Sequence, residues 1–301
     1  MDLRSGKPVW LDRPPPPVRA PALKRDVECD VAIIGAGITG ALVARSLLAA
    51  GLRVVVLDRR NAGRGSTAAS TGLLMYQPDS SLAEITQSHG RAAAKRVYTL
   101  GRDAIRELRR LSRELSGYPA MVAKRTLYVA SNEADSRKLT RECARTRRIG
   151  FPVTRLTRQD LEAEFHFSRP AALLEPGGAQ IDAYRFTLAV WQDCRSQRRL
   201  RLYQKTSVTQ MSEDPDGVTL RTSAGHRVRA SHVIVAAGYE AGRWTKTPLM
   251  KLNSTYVIAS EPMPATRLVP LRCLMWDTAR PYFYLRTTPD HRIIFGGMDE
   301  P

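Results

Sequence analysis

The chain has 301 residues, a hydrophobic content of 43% and a net charge of +18, and it is long enough to bury one large core or two interleaved ones. It contains no uncharged apolar stretch of about 18 residues, which argues against a transmembrane helix. Its four cysteines are scattered without a CxxC pair, which argues against a disulfide framework or a zinc site and predicts reduced thiols in a cytosol.

The first 26 residues read as a proline-rich arm. Four consecutive prolines at 14–17 impose a short polyproline II segment that cannot lie inside a sheet. Trp10 is a candidate for attaching this arm to the body of the protein, and an ordinary surface tryptophan is the alternative.

A complete βαβ unit follows the arm. The apolar runs at 31–34 and 53–57 predict two buried strands, and the run at 41–51 between them predicts a helix closed by glycine. The turn from the first strand into the helix, residues 35–40, reads GAGITG and matches the GxGxxG pattern of dinucleotide-binding folds. The second strand ends in Asp58, the acidic residue that this pattern requires.

Each conspicuous residue of this unit has a physical reason to be there. Gly35 permits the tight turn, Gly37 lets a pyrophosphate approach the backbone, and Gly40 allows close packing of the helix on the strands. The amide groups that begin at Ile38 face the phosphates with the positive end of the helix dipole. Asp58, 18 residues after Gly40, accepts hydrogen bonds from a ribose. A tight turn without a ligand is the alternative.

The motif alone does not distinguish NAD from FAD. A simple nicotinamide-binding domain usually continues into another helix and strand, whereas residues 59–74 are rich in small and hydroxylic side chains. We interpret this segment as backbone lying against a large flat ligand, and a flexible surface loop is the alternative.

With these segments the chain resembles the FAD-dependent amine and amino-acid oxidoreductases of the D-amino-acid oxidase and glycine oxidase (DAO) family, in particular its bacterial members, over residues 27–301. The resemblance implies FAD as cofactor and an α/β fold, in which a Rossmann-like FAD-binding domain of the GR2 type is interleaved with an antiparallel-sheet α+β substrate domain. Four segments carry it: 35–58, 65–74, 178–185 (where the family usually has proline in place of Ala183) and 233–238.

The resemblance also implies which residues hold the cofactor. Val208 contacts the adenine through its main chain, and Ser70, Thr71 and the backbone at 72–74 lie nearest the flavin ring. The implied cofactor-binding residues are Gly35, Gly37, Ile38, Gly40, Asp58, Arg59, Arg60, Gly65, Ser66, Thr67, Ser70, Thr71, Gly72, Leu73, Val208, Ala236, Ala237 and Gly238.

Helical and strand patterns alternate after the flavin loop. Helices are predicted at 82–116 and 133–149, a strand at 125–130, and capped helices after Thr157 and after Asp182. Later strands are predicted at 207–209, 217–222 and 227–237, with a turn at 213–216 and with 233–237 buried on both faces. The chain thus divides into an arm (1–26), a βαβ unit with flavin loop (27–80), a helical insertion (81–150), a second FAD-binding segment with interleaved strands (151–245) and a truncated substrate-domain sheet (246–301).

Positive charge is concentrated between residues 91 and 148, where 16 Lys and Arg face 6 Asp and Glu. One interpretation is a surface for nucleic acid or an anionic membrane. The other is a solvated helical face in an arginine-rich protein, and the lack of interleaved aromatic residues favours it. We therefore expect no nucleic-acid partner.

The family usually continues past the strand at 292–297 with a glycine-rich segment, a closing helix and often an arginine that pairs with the substrate carboxylate. The present sequence stops at Pro301, and we expect either a fragment or a protein without half of its flavin-ring cradle. The catalytic residues are therefore undefined. The weak candidates are Tyr256, Tyr284 and Arg286, with Arg280 and Tyr282 beside them, and ordinary sheet tyrosines are the alternative.

The resemblance implies an oxidoreductase in which a neutral amine or amino acid transfers hydride from its C–H bond to flavin N5, with oxygen or a quinone as electron acceptor. We expect a cytoplasmic protein, with peripheral attachment to the inner membrane as the alternative. Two other functions stay open: a tRNA-modifying flavoprotein domain, suggested by the basic helix, and a truncated, redox-silent flavin-binding protein.

Overall fold

The computed structural model describes residues 5–115, 117–118, 121–245 and 251–300. Its α-helices are α1 (Ile38–Ala49), α2 (Leu82–Glu114), α3 (Glu133–Arg148), α4 (Arg158–Phe165) and α5 (Ala183–Cys194). Its strands are β1 (Val27–Ile34), β2 (Val54–Leu57), β3 (Leu73–Leu74), β4 (Val122–Val129), β5 (Thr154–Thr157), β6 (Ala171–Gln180), β7 (Leu200–Tyr203), β8 (Val208–Asp214), β9 (Gly217–Thr222), β10 (Arg227–Val235), β11 (Ser254–Ala259), β12 (Leu274–Asp277), β13 (Phe283–Thr287) and β14 (Ile293–Glu300).

The described residues form two compact units. Unit 1 takes them from Met1–Ser70, Leu115–Tyr118 and Asp182–Leu252, and unit 2 takes them from Thr71–Glu114, Pro119–Ile181 and Asn253–Pro301. Each unit therefore recruits separate stretches of the chain, as the predicted interleaved α/β fold requires. The finer division into five segments stays a prediction.

Unit 1 is built on a sheet with the strand order β7-β2-β1-β10-β9-β8. The first four strands are parallel, and β9 and β8 continue the sheet as antiparallel neighbours. Ile34, the last residue of β1, pairs with Leu57 on one side and Val235 on the other, so three parallel strands end at the same level. Strand β2 is buried along its whole length, as its continuous apolar sequence predicts.

Helices α1 and α5 pack on each other in unit 1. The predicted cap of α5 is confirmed, because the Asp182 side chain accepts a hydrogen bond from the Arg185 amide at 2.8 Å. The buried Trp191 of α5 donates its indole N–H to the Ala36 carbonyl at 3.1 Å. This bond ties α5 directly to the glycine turn that opens α1.

The N-terminal arm is attached to unit 1, which decides between the two interpretations of Trp10. Trp10 is buried, and its indole N–H donates to the Ser70 carbonyl at 2.6 Å. Farther along, Val18 and Leu23 are buried, and the Val18 carbonyl accepts a hydrogen bond from the Gln204 side chain at 3.0 Å. The arm is thus part of the core packing.

Unit 2 contains a sheet with the order β11-β14-β13-β12-β4-β6-β3, and β5 pairs with β6 beside this path. The predicted antiparallel sheet is confirmed with one exception, since β12 and β4 run parallel. A parallel pair needs no tight hairpin, and these two strands are far apart in the sequence. The Thr157 capping box of α4 is also confirmed: Thr157 and Asp160 each satisfy the other's backbone amide.

Several predicted boundaries shift. The helix predicted at 82–116 is α2, which ends at Glu114 and is interrupted by Gly90 (φ +83°); Ser116 lies outside the described residues. Strand β8 extends to Asp214, because it pairs with Gly217 across a two-residue turn that is tighter than predicted. The prediction that the run 233–237 is buried on both faces is wrong. Strand β10 is half-buried where it ends at Val235, beside an open cleft.

Candidate cofactor site

An open cleft of about 860 Å³, part of it solvent, lies at the carboxyl ends of the parallel strands of unit 1. Ligands of open α/β sheets bind at this edge. Five stretches of chain line the cleft: the glycine turn at 34–39, the end of β2 with residues 58–60, the turn at 65–67, the start of β8 at 206–208 and the segment 236–244. All five belong to unit 1.

The glycine turn is packed so tightly that side chains are excluded. Gly35 has φ +114°, and a Cβ atom there would lie 2.3 Å from the Ala236 carbonyl oxygen. A Cβ atom at Gly40 would lie 2.0 Å from the Gly35 oxygen. The turn therefore brings the N-terminus of α1 directly against the ends of β1 and β10.

The N-terminus of α1 presents hydrogen-bond donors at the cleft. Its N-cap is Gly37, which has no side chain to satisfy the first amides. The Ile38 amide donates to the Thr67 hydroxyl at 3.1 Å, while Thr39 and Gly40 have no carbonyl one turn earlier within the helix. Amides and the positive end of the helix dipole together suit a diphosphate group.

Asp58 is held at the floor of the cleft by two backbone amides. One carboxylate oxygen accepts from Ala36 at 2.7 Å, and the other accepts from Arg60 at 2.7 Å. Burial raises the pKa of Asp58 above its ordinary value, and the two amides act in the opposite direction. Each oxygen keeps a second lone pair, so the carboxylate can still accept a hydrogen bond from a ribose hydroxyl.

A tight glycine turn, a helix N-terminus and a fixed carboxylate around one cleft are the parts of a dinucleotide site. The chain matches the family described as FAD dependent oxidoreductase (DAO) over residues 30–301. The chain belongs to this DAO family. FAD, the cofactor expected from the sequence, is the cofactor of the family.

Individual relatives agree with this assignment. The chain is 28% identical over 291 residues to gamma-glutamylputrescine oxidoreductase of Escherichia coli, which covers 91% of the chain and 66% of that protein. It is 30% identical over 247 residues to glycine oxidase of Geobacillus kaustophilus, covering 80% of the chain and 63% of the relative. The chain thus spans about two thirds or less of the length of these curated relatives.

Solved structures show the same fold. The crystal structure of glycine oxidase from Geobacillus kaustophilus superposes with a TM-score of 0.74 at 23% identity, over 91% of this chain and 72% of that one. L-proline dehydrogenase from P. horikoshii gives 0.72 at 17% identity, over 90% and 70%. At these identities the similarity establishes the fold alone.

The cleft collects most of the DAO-type cofactor residues that the sequence predicts. It is lined by Gly35, Gly37, Ile38, Asp58, Arg59, Arg60, Gly65, Ser66, Thr67, Val208, Ala236, Ala237 and Gly238. Gly40 lies behind the turn, and Ser70 accepts the Trp10 hydrogen bond. Thr71, Gly72 and Leu73 belong to unit 2. The assignment of all these residues to FAD stays a prediction.

The structure adds residues that sequence reasoning missed. Glu240 lines the cleft and pairs with Arg59 and with Arg60, at 2.8 Å for Arg60. Arg243 and Trp244 also line it, with the guanidinium 5.6 Å from the centre of the Trp244 ring. The only sequence signal for Glu240 was an acidic residue soon after Gly238, which is too common to be informative.

In unit 2 the last part of the segment 65–74 is held by Arg286. This arginine is 1% exposed, and one guanidinium nitrogen donates to the carbonyls of Thr71, Gly72 and Ile181 at 3.1, 2.9 and 2.8 Å. Gly72 has φ +71°, and a Cβ atom there would meet the Ile181 carbonyl at 2.1 Å. These contacts show Arg286 bonding backbone carbonyls, whereas the sequence suggested a substrate contact.

The other weak catalytic candidates are not brought together. Tyr256 is 55% exposed, and its hydroxyl donates to Glu300 at 3.1 Å. Tyr284 lies across the sheet against Gly296, where an added Cβ would touch its ring. Arg280 and Tyr282 line a different pocket of unit 2. The catalytic role of these residues stays a prediction.

Two further features of the described residues bear on the site. No helix among them is long and apolar enough to cross a bilayer, and no cluster of three or more ligating side chains among them could hold a metal ion. Cys29, Cys143, Cys194 and Cys273 are buried free thiols, and burial raises the pKa of Cys29 to about 11. The Cys29 thiol is consequently a poor nucleophile.

Proposed function

We propose that the chain binds FAD and belongs to an oxidoreductase that oxidises a C–N bond in an amine or amino acid. The observation that supports this most directly is the unit 1 cleft, where the α1 N-terminus, Asp58 and the end of β10 meet. The relatives in the same family are named for an amino acid, glycine, and for an amine, gamma-glutamylputrescine.

When bound, FAD supplies the hydride acceptor for this chemistry. The chain's own contribution is binding and orientation. The Thr39 amide at the α1 N-terminus would hold the diphosphate, and Thr67 fixes the Ile38 amide beside it. Asp58 accepts hydrogen bonds from the ribose. Since a neutral amine can release hydride without a strong base, no side-chain base is assigned. Oxygen or a quinone is proposed as the final electron acceptor.

The tRNA-modifying alternative rests on the basic helix α2. Several of its arginines pair with carboxylates of the same helix, as Arg106 does with Asp103 at 3.4 Å and Arg110 with Glu114 at 2.8 Å. Such pairs are typical of a solvated helical face. These pairs leave little reason to assign the helix to tRNA binding, and they favour the amine oxidoreductase over the tRNA-modifying alternative.

The test uses purified protein supplied with FAD. We expect bound flavin with its visible absorbance, and loss of that absorbance when small amines or amino acids are added without oxygen. Protein that takes up neither FAD nor NAD at saturating concentration would contradict the cofactor site. Bound FAD that no amine bleaches would support the redox-silent alternative. Binding of tRNA that falls steeply with salt would support the tRNA-modifying alternative.

A further inference from the structure

Unit 2 contains a second pocket, of about 530 Å³ including open solvent, which none of the predicted cofactor residues lines. Its wall on the sheet side carries Tyr128 of β4, Glu175 of β6 and Trp276 of β12. Tyr98 of α2 and Glu142 of α3 line it from the helices. The pocket therefore lies where α2 and α3 pack against β6.

Buried acceptor atoms in this pocket have no hydrogen-bond partner. Glu175 is 2% exposed, and its Oε2 atom has no partner within hydrogen-bond distance among the described residues, although Tyr76 and Gln77 face the carboxyl group and partly offset the rise in its pKa. The side-chain oxygen of Gln77, another lining residue, also lacks one, and so does the nearby Tyr76 hydroxyl. Unsatisfied buried acceptors are costly, and each such group in a native protein needs an explanation.

The interior of the pocket is acidic. Glu142 is 9% exposed; one of its oxygens accepts from the Leu82 amide at 2.5 Å, and the other lies 3.7 Å from Arg145. Glu142 and Glu175 are close enough for each to oppose the ionisation of the other group. Arg280 also lines the pocket; it is exposed, its guanidinium lies 5.6 Å from the centre of the Tyr282 ring, and its positive charge acts on the Tyr128 hydroxyl.

Aromatic rings complete the lining. Tyr128 and Trp276 are stacked, with ring centres 5.1 Å apart. Tyr98 is buried, and Tyr282 is half-buried. Aromatic faces attract cations, most strongly in places from which water is excluded. An aromatic wall beside a buried carboxylate is the chemistry that recognises a cation.

We propose that this pocket binds the charged ammonium group of an alkylamine. An ammonium group has three donors and no acceptor, so it can satisfy both Glu175 Oε2 and Gln77 Oε1 while its carbon stem lies against Trp276 and Tyr128. A carboxylate or phosphate ligand would be repelled by Glu175 and Glu142. Every lining residue belongs to unit 2, so the inference stands independently of FAD binding.

The pocket should bind amines more tightly as the pH rises. Burial is the main cause that raises the pKa of Glu175 to about 7. The titratable groups around it are Tyr76, Tyr98, Tyr128, Glu142 and, toward solvent, Asp79, Arg280 and Tyr282. A simple alkylammonium stays charged between pH 6 and pH 8, while the ionised fraction of Glu175 rises about tenfold. Amine affinity should therefore rise about tenfold over this range.

The experiment is calorimetric titration of the FAD-loaded protein with butylammonium chloride, and separately with butane-1,4-diamine and with butyrate, at pH 6 and pH 8. We expect both amines to bind, about tenfold more tightly at pH 8, and butyrate not to bind. Glu175→Gln should lower amine affinity at least tenfold and remove its pH dependence. Glu213→Gln, at an exposed position of β8 in unit 1, is the matched control and should behave like the wild type.

Equal affinity for butyrate and butylammonium, no heat with either amine, or unchanged affinity in Glu175→Gln would overturn the proposal. Gln77→Leu tests the second acceptor at a half-buried position, should Glu175→Gln fail to fold. Flavin absorbance recorded on the same samples separates the two ideas. Wild-type protein that retains FAD but binds no amine contradicts the pocket, and wild-type protein that does not take up FAD contradicts the proposed function.

Discussion

Replacing Glu175 by glutamine should stabilise the protein at pH 8 and leave it nearly unchanged at pH 5. The carboxylate is buried in unit 2 with an unpartnered oxygen, and the Gln77 side-chain oxygen nearby also lacks a partner. Glutamine has nearly the same shape and carries no charge. Its amide group can donate to the Gln77 oxygen, which the carboxylate cannot do.

The direction and size of this stability change follow from the pKa of Glu175. The ordinary value for Glu175 is 4.5, and burial raises the folded-state pKa to about 7. Between these values the folded protein holds more protons than the unfolded chain, so the free energy of unfolding falls as the pH rises. At about 1.4 kcal/mol per pKa unit, the loss is on the order of 3 kcal/mol above pH 7. Glutamine does not titrate, so the variant does not lose this free energy of unfolding as the pH rises.

The assay is thermal unfolding of the wild type and of Glu175→Gln at pH 5 and pH 8, without amine. At about 2 °C per kcal/mol for a chain of this size, the variant should unfold about 6 °C higher at pH 8 and within about 1 °C of the wild type at pH 5. Glu213→Gln serves as the exposed control. A stability difference that does not change with pH, or a less stable variant at pH 8, would refute the reasoning.

Three other substitutions test contacts outside that pocket. Asp58→Asn turns one of the two acceptors for the Ala36 and Arg60 amides into a donor, so FAD affinity measured by flavin fluorescence should fall about tenfold or more; unchanged affinity would contradict the site. Arg286→Met removes the guanidinium that donates to the Thr71, Gly72 and Ile181 carbonyls and should cost about 2–3 kcal/mol in urea unfolding, whereas exposed Arg221→Met should cost little. Asp182→Ala should cost about 1 kcal/mol by removing the α5 cap, and Asp182→Asn should restore most of it.

Local signals in the sequence predicted the parts of the fold that depend on neighbouring residues. The glycine turn and the caps at Thr157 and Asp182 are set within a few residues, so pattern alone located them. Hydrophobic periodicity likewise located β2 and α5. These features require no knowledge of which distant segments meet.

Sequence reasoning failed where the partners are far apart in the chain. Glu240 meets Arg59 and Arg60 across about 180 residues, and no periodicity encodes that pairing. Arg286 looked like a substrate ligand because arginines often bind carboxylates, but its partners are carbonyls more than a hundred positions away. The sequence contains one indication of a buried Glu175, namely that this carboxylate directly follows the apolar run 171–174 in a buried strand.

A protein with a net charge of +18 is an unexpected place to look for a cation site. The two facts are compatible because charge acts locally. Exposed arginines such as Arg110 are surrounded by water and salt, and their field fades within about 8 Å at physiological ionic strength. Glu175 and Glu142 are shielded from both, so their charge acts strongly at short range within the pocket. Selectivity for ammonium therefore depends on the buried pair, whatever the sign of the surface.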